Sequence, residues 1–424
     1  MDKLIIRGGR RLKGTVAVSG AKNAALPILA ATLLTEEPSV IRGVPTTLRD
    51  IQTMCRILRS LGVEIEIDDE DHLIRVSPGA YPGWEAPYKF VSTMRASVCL
   101  LGPLLAKQRK ARVSLPGGCV IGPRPIDLHL KGLRAIGAKI VLEHGYIVAK
   151  GQTLRGSRVY LGGAFGSSVL ATANVLMASV LTRGTTVIED AACEPEIVDL
   201  TDFLIKMGAK VRGKGSKTLE IEGVRRLHGT DHTIIPDRIE AGTYLFASAM
   251  TRGEVTVKNG RSEHLGAVID KLEESGVTVT ATPKGLCAKI SKSLRPIDIT
   301  THPYPGFPTD LQAQATALMG ITPGISIITE KIYPDRFMHV GELARMGAQI
   351  VLEGPSAIVK GVRSLSGASV MASDLRASAA LVLAGLVATG TTEVSRIYHL
   401  ERGYEFMEQK LQSLGAETWR EKDK

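Results

Sequence analysis

Apolar and polar positions alternate along this chain in two recurring phrases. The first reads Leu58-Arg59-Ser60-Leu61-Gly62-Val63, Leu133-Arg134-Ala135-Ile136-Gly137-Ala138 and Leu204-Ile205-Lys206-Met207-Gly208-Ala209. It returns as Leu272-Glu273-Glu274-Ser275-Gly276-Val277, Leu343-Ala344-Arg345-Met346-Gly347-Ala348 and Leu411-Gln412-Ser413-Leu414-Gly415-Ala416. Successive starts lie 75, 71, 68, 71 and 68 residues apart. That period is too long for a solenoid repeat and suits a small α/β module. Each phrase predicts the end of an amphipathic helix, with glycine just past the last turn. In most copies an alternating strand follows, as in Val63-Glu64-Ile65-Glu66-Ile67.

The second phrase runs out of step with the first. It is a helix of about four turns, rich in alanine and apolar nearly all round, followed by a glycine turn and a β-rich strand. Copies begin near Ser19, Ser92, Ser167, Asp237, Thr309 and Asp374. Apolar all round means buried, so these helices are expected inside and the amphipathic ones outside. Six modules predict two sets of three. The expected division lies at the Leu227-His228-Gly229-Thr230 turn.

The starts of the buried helices carry an oddity. Ser, Thr and Asp suit N-caps there, but Lys22, Arg95, Arg238 and Arg376 place a cation in or beside the first turn, where it opposes the helix dipole. A docked anion would account for them, since a helix start already favours anions. Pairing of each cation with a surface carboxylate is the alternative.

Composition narrows the partners. The 424 residues carry a net charge of +10, which favours anionic partners. With aromatics at 4% and no long Lys/Arg run, a nucleic-acid platform is not expected. Five scattered cysteines without CxxC argue against a disulfide framework or zinc site and for a reducing compartment. The N-terminus lacks the apolar core of a signal peptide, and the longest apolar runs, such as 377–388, are too short to span a bilayer. A soluble, cytoplasmic protein is expected. There is no GxxxxGK[ST], no GxGxxG between strand and helix and no GxSxG, which disfavours ATP, NAD or serine-hydrolase chemistry. His228 and His232 stand on a turn with no HExxH context, so neither metal nor cofactor is expected.

One cysteine stands apart. Leu115-Pro116-Gly117-Gly118-Cys119-Val120-Ile121-Gly122-Pro123-Arg124-Pro125-Ile126-Asp127 sets a thiol among glycines and prolines, with Arg124 five residues on. A fixed cation nearby lowers a thiol pKa. The segment reads either as a lid bringing thiol and guanidinium to an anionic substrate or as a surface turn with an incidental cysteine.

The chain resembles the enolpyruvyl transferases over nearly its whole length. The resemblance is carried by 19–27, by Met94-Arg95-Ala96-Ser97, by Leu115 to Cys119 with Arg124 to Leu128, by 235–243, and by Phe307-Pro308-Thr309-Asp310. Arg336-Phe337-Met338-His339 and Arg402-Gly403-Tyr404-Glu405 complete it. It implies a two-domain inside-out α/β barrel, each domain made of three repeated units, with the extreme N-terminus crossing back to the second domain, so that one domain covers 22–229 and the second 1–21 with 230–424. It also implies transfer of the enolpyruvyl group of phosphoenolpyruvate to the 3′-hydroxyl of UDP-N-acetylglucosamine with release of phosphate, the committed step of peptidoglycan precursor synthesis.

By the same resemblance, Cys119 is the proton donor and a site of covalent adducts, including that of fosfomycin. Asp310 is the base, and Lys22, Asn23, Cys119, Arg124 and Arg402 hold phosphoenolpyruvate. Arg95, Arg124, Pro125, Ile126, Asp127, Leu128, Ser168, Asp310 and Ile332 contact the UDP-sugar, while Arg336 and Arg376 are cleft arginines that help closure. An anion carrying roughly three charges needs such a set, arginine being suited to bidentate oxyanion contact. Two departures stand out. Leu170 occupies a position where glycine is usual, and Pro334-Asp335 precede Arg336 where the family has Glu-Asn. Two other readings compete: a non-catalytic UDP-sugar-binding relative that regulates cell-wall synthesis, and a nucleic-acid binder resting on charge alone. The oligomeric state is open.

Overall fold

A computed structural model describes residues 2–79, 83–92, 94–115 and 126–422. Among these, the chain divides into two compact units, one formed by 2–19 with 236–422 and the other by 20–115 with 126–235. Each has its own apolar core. The expected boundaries at 21/22 and 229/230 differ from this division by a few residues. The reason is strand pairing: Asp231–Thr233 runs parallel to Ser39–Arg42 and so stays with the 20–235 unit.

Among the described residues, six four-stranded sheets repeat one pattern, three to a unit. In every one a parallel edge strand is followed by two antiparallel pairings. Thr185–Glu189 shows it: Arg158–Tyr160 lies parallel on one side, Thr218–Glu222 antiparallel on the other, and Lys210–Arg212 beyond. The N-terminus completes two sheets of the 236–422 unit. Asp2–Arg7 lies between Thr391–Ser395 and Glu417–Lys422, and Lys13–Ala17 forms the parallel edge beside Glu254–Lys258. This is the crossing back that the resemblance implies.

Both helix phrases fold as expected. The amphipathic helices Arg49–Ser60, Asp127–Ala135, Pro195–Lys206, Gly266–Glu274, Met338–Arg345 and Met407–Ser413 each bury one face. All end on a glycine of positive φ, Gly62, Gly137, Gly208, Gly276, Gly347 and Gly415, at 89° to 101°. Only glycine adopts that angle without strain, so the chain can reverse there into the following strand. In five of the six copies the reversal is closed by the next residue, whose N–H reaches back to the leucine that opens the phrase, as in Ala138 to Leu133 (3.0 Å) and Ala416 to Leu411 (3.0 Å).

The apolar helices lie inside. Residues 24–31, 171–179, 239–250, 312–320 and 376–386 are buried without interruption. In the 236–422 unit the helices Arg238–Met250, Gln312–Gly320 and Leu375–Val387 contact one another. In the other unit Leu101–Gln108 and Lys22–Ala31 pack on Val169–Ser179. Small residues allow this approach: a Cβ on Gly102 would stand 2.3 Å from the Asn174 carbonyl oxygen. Helices within and sheets around them are the inside-out arrangement.

N-capping follows the sequence in half the cases. Asp237 accepts from the N–H groups of Ile239 and Glu240, Asp374 from Arg376 and Ala377, and Ser168 from Ala171. The other starts differ because their side chains are engaged elsewhere or further off. Ser19 gives its hydroxyl proton to Glu405, leaving Ala21 to open its helix, and Thr309 gives its proton to Glu330. The stretch after Ser92 opens as a 3-10 segment, Arg95–Leu100.

Candidate active site

In the 236–422 unit the site is built on three segments. Asp310 stands in a single 3-10 turn, Thr309–Leu311, that opens the buried helix Gln312–Gly320. Arg376 is the second residue of the Leu375–Val387 helix, placed there by the Asp374 cap. Arg336 lies on the loop between strand Ile325–Thr329 and helix Met338–Arg345.

These segments bring two cations onto one carboxylate. Arg336 Nη1 donates to Asp310 Oδ1 at 2.7 Å and Arg376 Nη2 to Oδ2 at 3.0 Å. The arginines are 5% and 2% exposed, whereas the Asp310 side chain keeps 25% of its surface open. Burial works to raise the Asp310 carboxyl, but the two guanidinium charges override it and hold the group well below the usual carboxylate range. Burial likewise opposes the charge on Arg376, and Asp310, with Tyr404 and Asp237, more than restores it.

Arg376 is only partly satisfied. Its Nε and Nη1 are buried with no hydrogen-bond partner among the described residues, while the guanidinium lies 5.4 Å from the centre of the Tyr404 ring. The Tyr404 hydroxyl meets Thr243 at 2.9 Å and accepts from Gln314 Nε2 at 3.2 Å. Two residues before Tyr404, Arg402 ends the 3-10 segment Ile397–Arg402 and is half-buried. Ile332 is half-buried too, its N–H held by Glu330 at 2.7 Å.

The 20–235 unit carries a second group. Lys22 is the first residue of the Lys22–Ala31 helix, and its Nζ meets Asp50 Oδ2 at 3.0 Å with both side chains buried. Asn23 follows in the same turn, half-buried. Pro27 lies four residues on, inside the helix, and cannot donate to the Asn23 carbonyl. Arg95 opens its 3-10 segment half-buried, close enough to His129 to help burial hold that imidazole down at about 3. Ile126, Asp127 and Leu128 form the start of the Asp127–Ala135 helix. Ser168 caps the Val169–Ser179 helix, and Leu170 packs against the apolar core, so the residue that departs from the family pattern sits in a first helical turn.

The pairing alternative for the basic helix starts therefore holds for Lys22 and Arg376, with the difference that both pairs are inside rather than on the surface. Arg238 lies 5.6 Å from the Tyr304 ring. The Pro334-Asp335 departure leaves Arg336 directed at Asp310. Cys119, Arg124 and Pro125 lie outside the described residues. Of the other thiols, burial pushes Cys55 up to about 11 and Cys99 to about 12, and it raises Cys193 as well. None of these three is tuned as a nucleophile or acid near neutrality.

Chemically, Asp310 between two arginines is ionised and has low proton affinity. A general base works best near the operating pH. Drawing either arginine toward an anion raises the proton affinity of Asp310, so anion binding and base strength are coupled at this carboxylate. The sequence reading missed Asp50, which pairs with Lys22, and Glu330, which holds Thr309 and Ile332. A carboxylate on an amphipathic helix or at a strand end has no sequence mark separating it from a solvated one.

Residues 6–411 match the EPSP synthase (3-phosphoshikimate 1-carboxyvinyltransferase) family. The UDP-N-acetylglucosamine 1-carboxyvinyltransferase of Methylacidiphilum infernorum is 52% identical over 99% of both chains, and that of Myxococcus xanthus 52% over the whole of both. The chain belongs to the enolpyruvyl transferase family. The enzyme of the same name from Gluconacetobacter diazotrophicus is 54% identical over 99% of both chains. Among solved structures, the enolpyruvyl transferase NikO of Streptomyces tendae superposes with a TM-score of 0.90 at 26% identity, over 100% of this chain and 99% of that one. EPSP synthase from Acinetobacter baumannii, at 19% identity and a TM-score of 0.74 over 99% of this chain and 100% of that one, shares the fold.

Proposed function

We propose that this enolpyruvyl transferase moves the enolpyruvyl group of phosphoenolpyruvate onto the 3′-hydroxyl of UDP-N-acetylglucosamine and releases phosphate. The observation that carries the reading is Asp310, ionised between two buried arginines in a chain that matches UDP-N-acetylglucosamine 1-carboxyvinyltransferases from end to end.

In this reading Cys119 gives a proton to the methylene carbon of phosphoenolpyruvate while the sugar oxygen bonds to the carbon bearing the phosphate. Asp310 takes the hydroxyl proton. Loss of a proton from the new methyl group and of phosphate then restores the double bond on the sugar. Lys22, Asn23, Arg124 and Arg402 offset the charge of phosphoenolpyruvate. Arg95, the Arg124 to Leu128 segment, Ser168 and Ile332 hold the UDP-sugar. Arg336 and Arg376 tune Asp310, releasing it to act as a base when they turn to the incoming anion.

The family chemistry places the step at the start of peptidoglycan synthesis, in the cytoplasm, and makes Cys119 the target of fosfomycin. Among the described residues no helix is long and apolar enough to cross a membrane. The test is phosphate release from phosphoenolpyruvate with and without UDP-N-acetylglucosamine. Sugar-dependent release is expected, and its absence would remove the reading.

A further inference from the structure

We propose that Glu330 is a positioning residue, which fixes the direction of the Thr309 hydroxyl and so holds Arg336 against the Asp310 carboxylate. The proposal rests on the reading of Asp310 as the base.

Glu330 is wholly buried at the end of strand Ile325–Thr329. Its Oε1 accepts from the Thr301 hydroxyl (2.7 Å) and from the N–H groups of Ile332 (2.7 Å) and Tyr333 (2.9 Å). Its Oε2 accepts from the Thr309 hydroxyl at 2.8 Å. These partners are hydroxyls and backbone amides, which stabilise a buried carboxylate by hydrogen bonding alone. They come from three segments: Thr301, which follows strand Ile299–Thr300, the turn carrying Thr309 and Asp310, and the loop carrying Ile332 and Arg336.

The direction of the chain of bonds is determined by chemistry. A guanidinium only donates. Arg336 Nη1 has two protons and reaches two acceptors, Thr309 Oγ1 at 3.0 Å and Asp310 Oδ1 at 2.7 Å. Thr309 therefore accepts from Arg336, and its one proton must go to Glu330. The order runs Glu330, Thr309, Arg336, Asp310, each group holding the next. Glu330 touches no reacting atom in this scheme. It acts through Thr309 and Arg336, and through the Ile332 N–H it also holds the loop that the family chemistry assigns to the UDP-sugar.

An amide at position 330 reverses this polarity. Three donors converge where Oε1 lies, so the carbonyl oxygen of a glutamine belongs there and its NH2 faces Thr309. The threonine then accepts from the amide, and its proton leaves that direction, so Glu330 no longer fixes which lone pair of Thr309 faces Arg336. The anchor that Arg336 finds on Thr309 is no longer oriented, and a looser Arg336 holds the proton affinity of Asp310 down less well. The titratable and charged groups around Asp310 are Arg336 from the loop and Arg376 with its Asp374 cap from the helix, with Tyr404 and Asp237 acting on Arg376. Of these, only the hold on Arg336 changes.

The experiment measures kcat, KM for UDP-N-acetylglucosamine and the pH profile of kcat/KM in Glu330→Gln, Thr309→Val, Thr309→Ser, the Glu330→Gln/Thr309→Val double variant and Asp310→Asn. Glu330→Gln and Thr309→Val are expected to lower kcat/KM by roughly 10–100-fold, the worth of a hydrogen bond to a charged group. Both should move the acid limb to higher pH, and the double variant should fall no further than Thr309→Val. Thr309→Ser, which keeps the hydroxyl, should restore the acid limb displaced in Thr309→Val. If Glu330→Gln does not fold, the two Thr309 variants carry the test. An acid limb that stays put in Thr309→Val, or additive losses in the double variant, would overturn the proposal. Full activity in Asp310→Asn would instead overturn the reading of the base, and with it the role given to Glu330.

Discussion

Lys22 Nζ lies 3.0 Å from Asp50 Oδ2, and both side chains are shielded, at 9% and 8% exposure. The cation proposed to meet phosphoenolpyruvate is thus stored against a carboxylate of its own unit. Breaking a buried pair from one side leaves the other charge uncompensated, at a cost of about 3–5 kcal/mol. Asp50→Ala should lower the urea midpoint of the unit accordingly, and the double variant Lys22→Met/Asp50→Leu should recover much of the loss. Lys22→Met alone and the double variant should both raise KM for phosphoenolpyruvate. An unchanged midpoint in Asp50→Ala would show that the pair does not hold this part of the unit.

Asp310 makes a prediction about pH. Its native carboxyl is held well below the usual carboxylate range, against burial, by Arg376 and Arg336, while the unfolded group titrates near 3.9. A depressed carboxyl contributes stability that is present above the unfolded value and lost as pH falls toward the native one. Asp310→Asn also leaves two buried arginines short of their anion. The stability gap between parent and variant should stay constant from neutrality to about pH 5 and narrow below about pH 4. In the same variant, sugar-dependent phosphate release should fall by about 10²–10⁴-fold, the usual worth of a general base. A gap that widens in acid would mean the arginines do not hold the carboxyl down.

Cys119 is tested by changing the acid rather than removing it. A serine hydroxyl is a far weaker proton donor than a thiol, so Cys119→Ser should lose most activity, whereas Cys119→Asp should keep part of it, because a carboxylic acid still donates. Fosfomycin should add to the Cys119 peptide of the parent. The Cys55 and Cys99 peptides should stay unmodified, because burial pushes those thiols up to about 11 and about 12. A fully active Cys119→Ser would end the acid role.

The architecture was legible because it is written in local, repeated signals. Each Gly62-type position follows an amphipathic helix and needs a positive φ, and each Ala-rich helix must be buried, so six modules could be read from spacing. The site was legible only in its ends. Asp310 and Arg376 each stand at a helix start, but they meet across 66 residues, and Arg336 joins from 26 residues away. No period or motif encodes which carboxylate two distant arginines share. Glu330 illustrates the limit: it follows an alternating strand and looks solvated, yet the fold closes over it. The expected division at 229/230 fell short of Asp231–Thr233 because three residues give too little alternation to mark a strand, and their partner, Ser39–Arg42, lies far back in the chain.

Two glycines separate the two reasons for glycine in this fold. Gly347 has φ +94° and open space where a Cβ would stand, so Gly347→Ala should carry only the backbone cost of a left-handed residue, roughly 1–2 kcal/mol. Gly102 carries no such angle. A Cβ there would lie 2.3 Å from the Asn174 carbonyl oxygen and 3.0 Å from its Oδ1, which accepts from the Gly102 N–H at 2.8 Å. Gly102→Ala must therefore push the Leu101–Gln108 and Val169–Ser179 helices apart and strain that hydrogen bond. It also disturbs Asn174 Nδ2, which holds the Val98 carbonyl and faces His129. Overpacking of this kind typically costs 1–3 kcal/mol and more where backbone is struck, so Gly102→Ala should be the more damaging by urea denaturation. Its loss should also reach Arg95, since Val98 lies in the same 3-10 segment, and appear as a raised KM for the UDP-sugar. Gly347→Ala should leave that KM unchanged. Equal losses in the two variants would mean that the helices have room to move, contrary to the packing described.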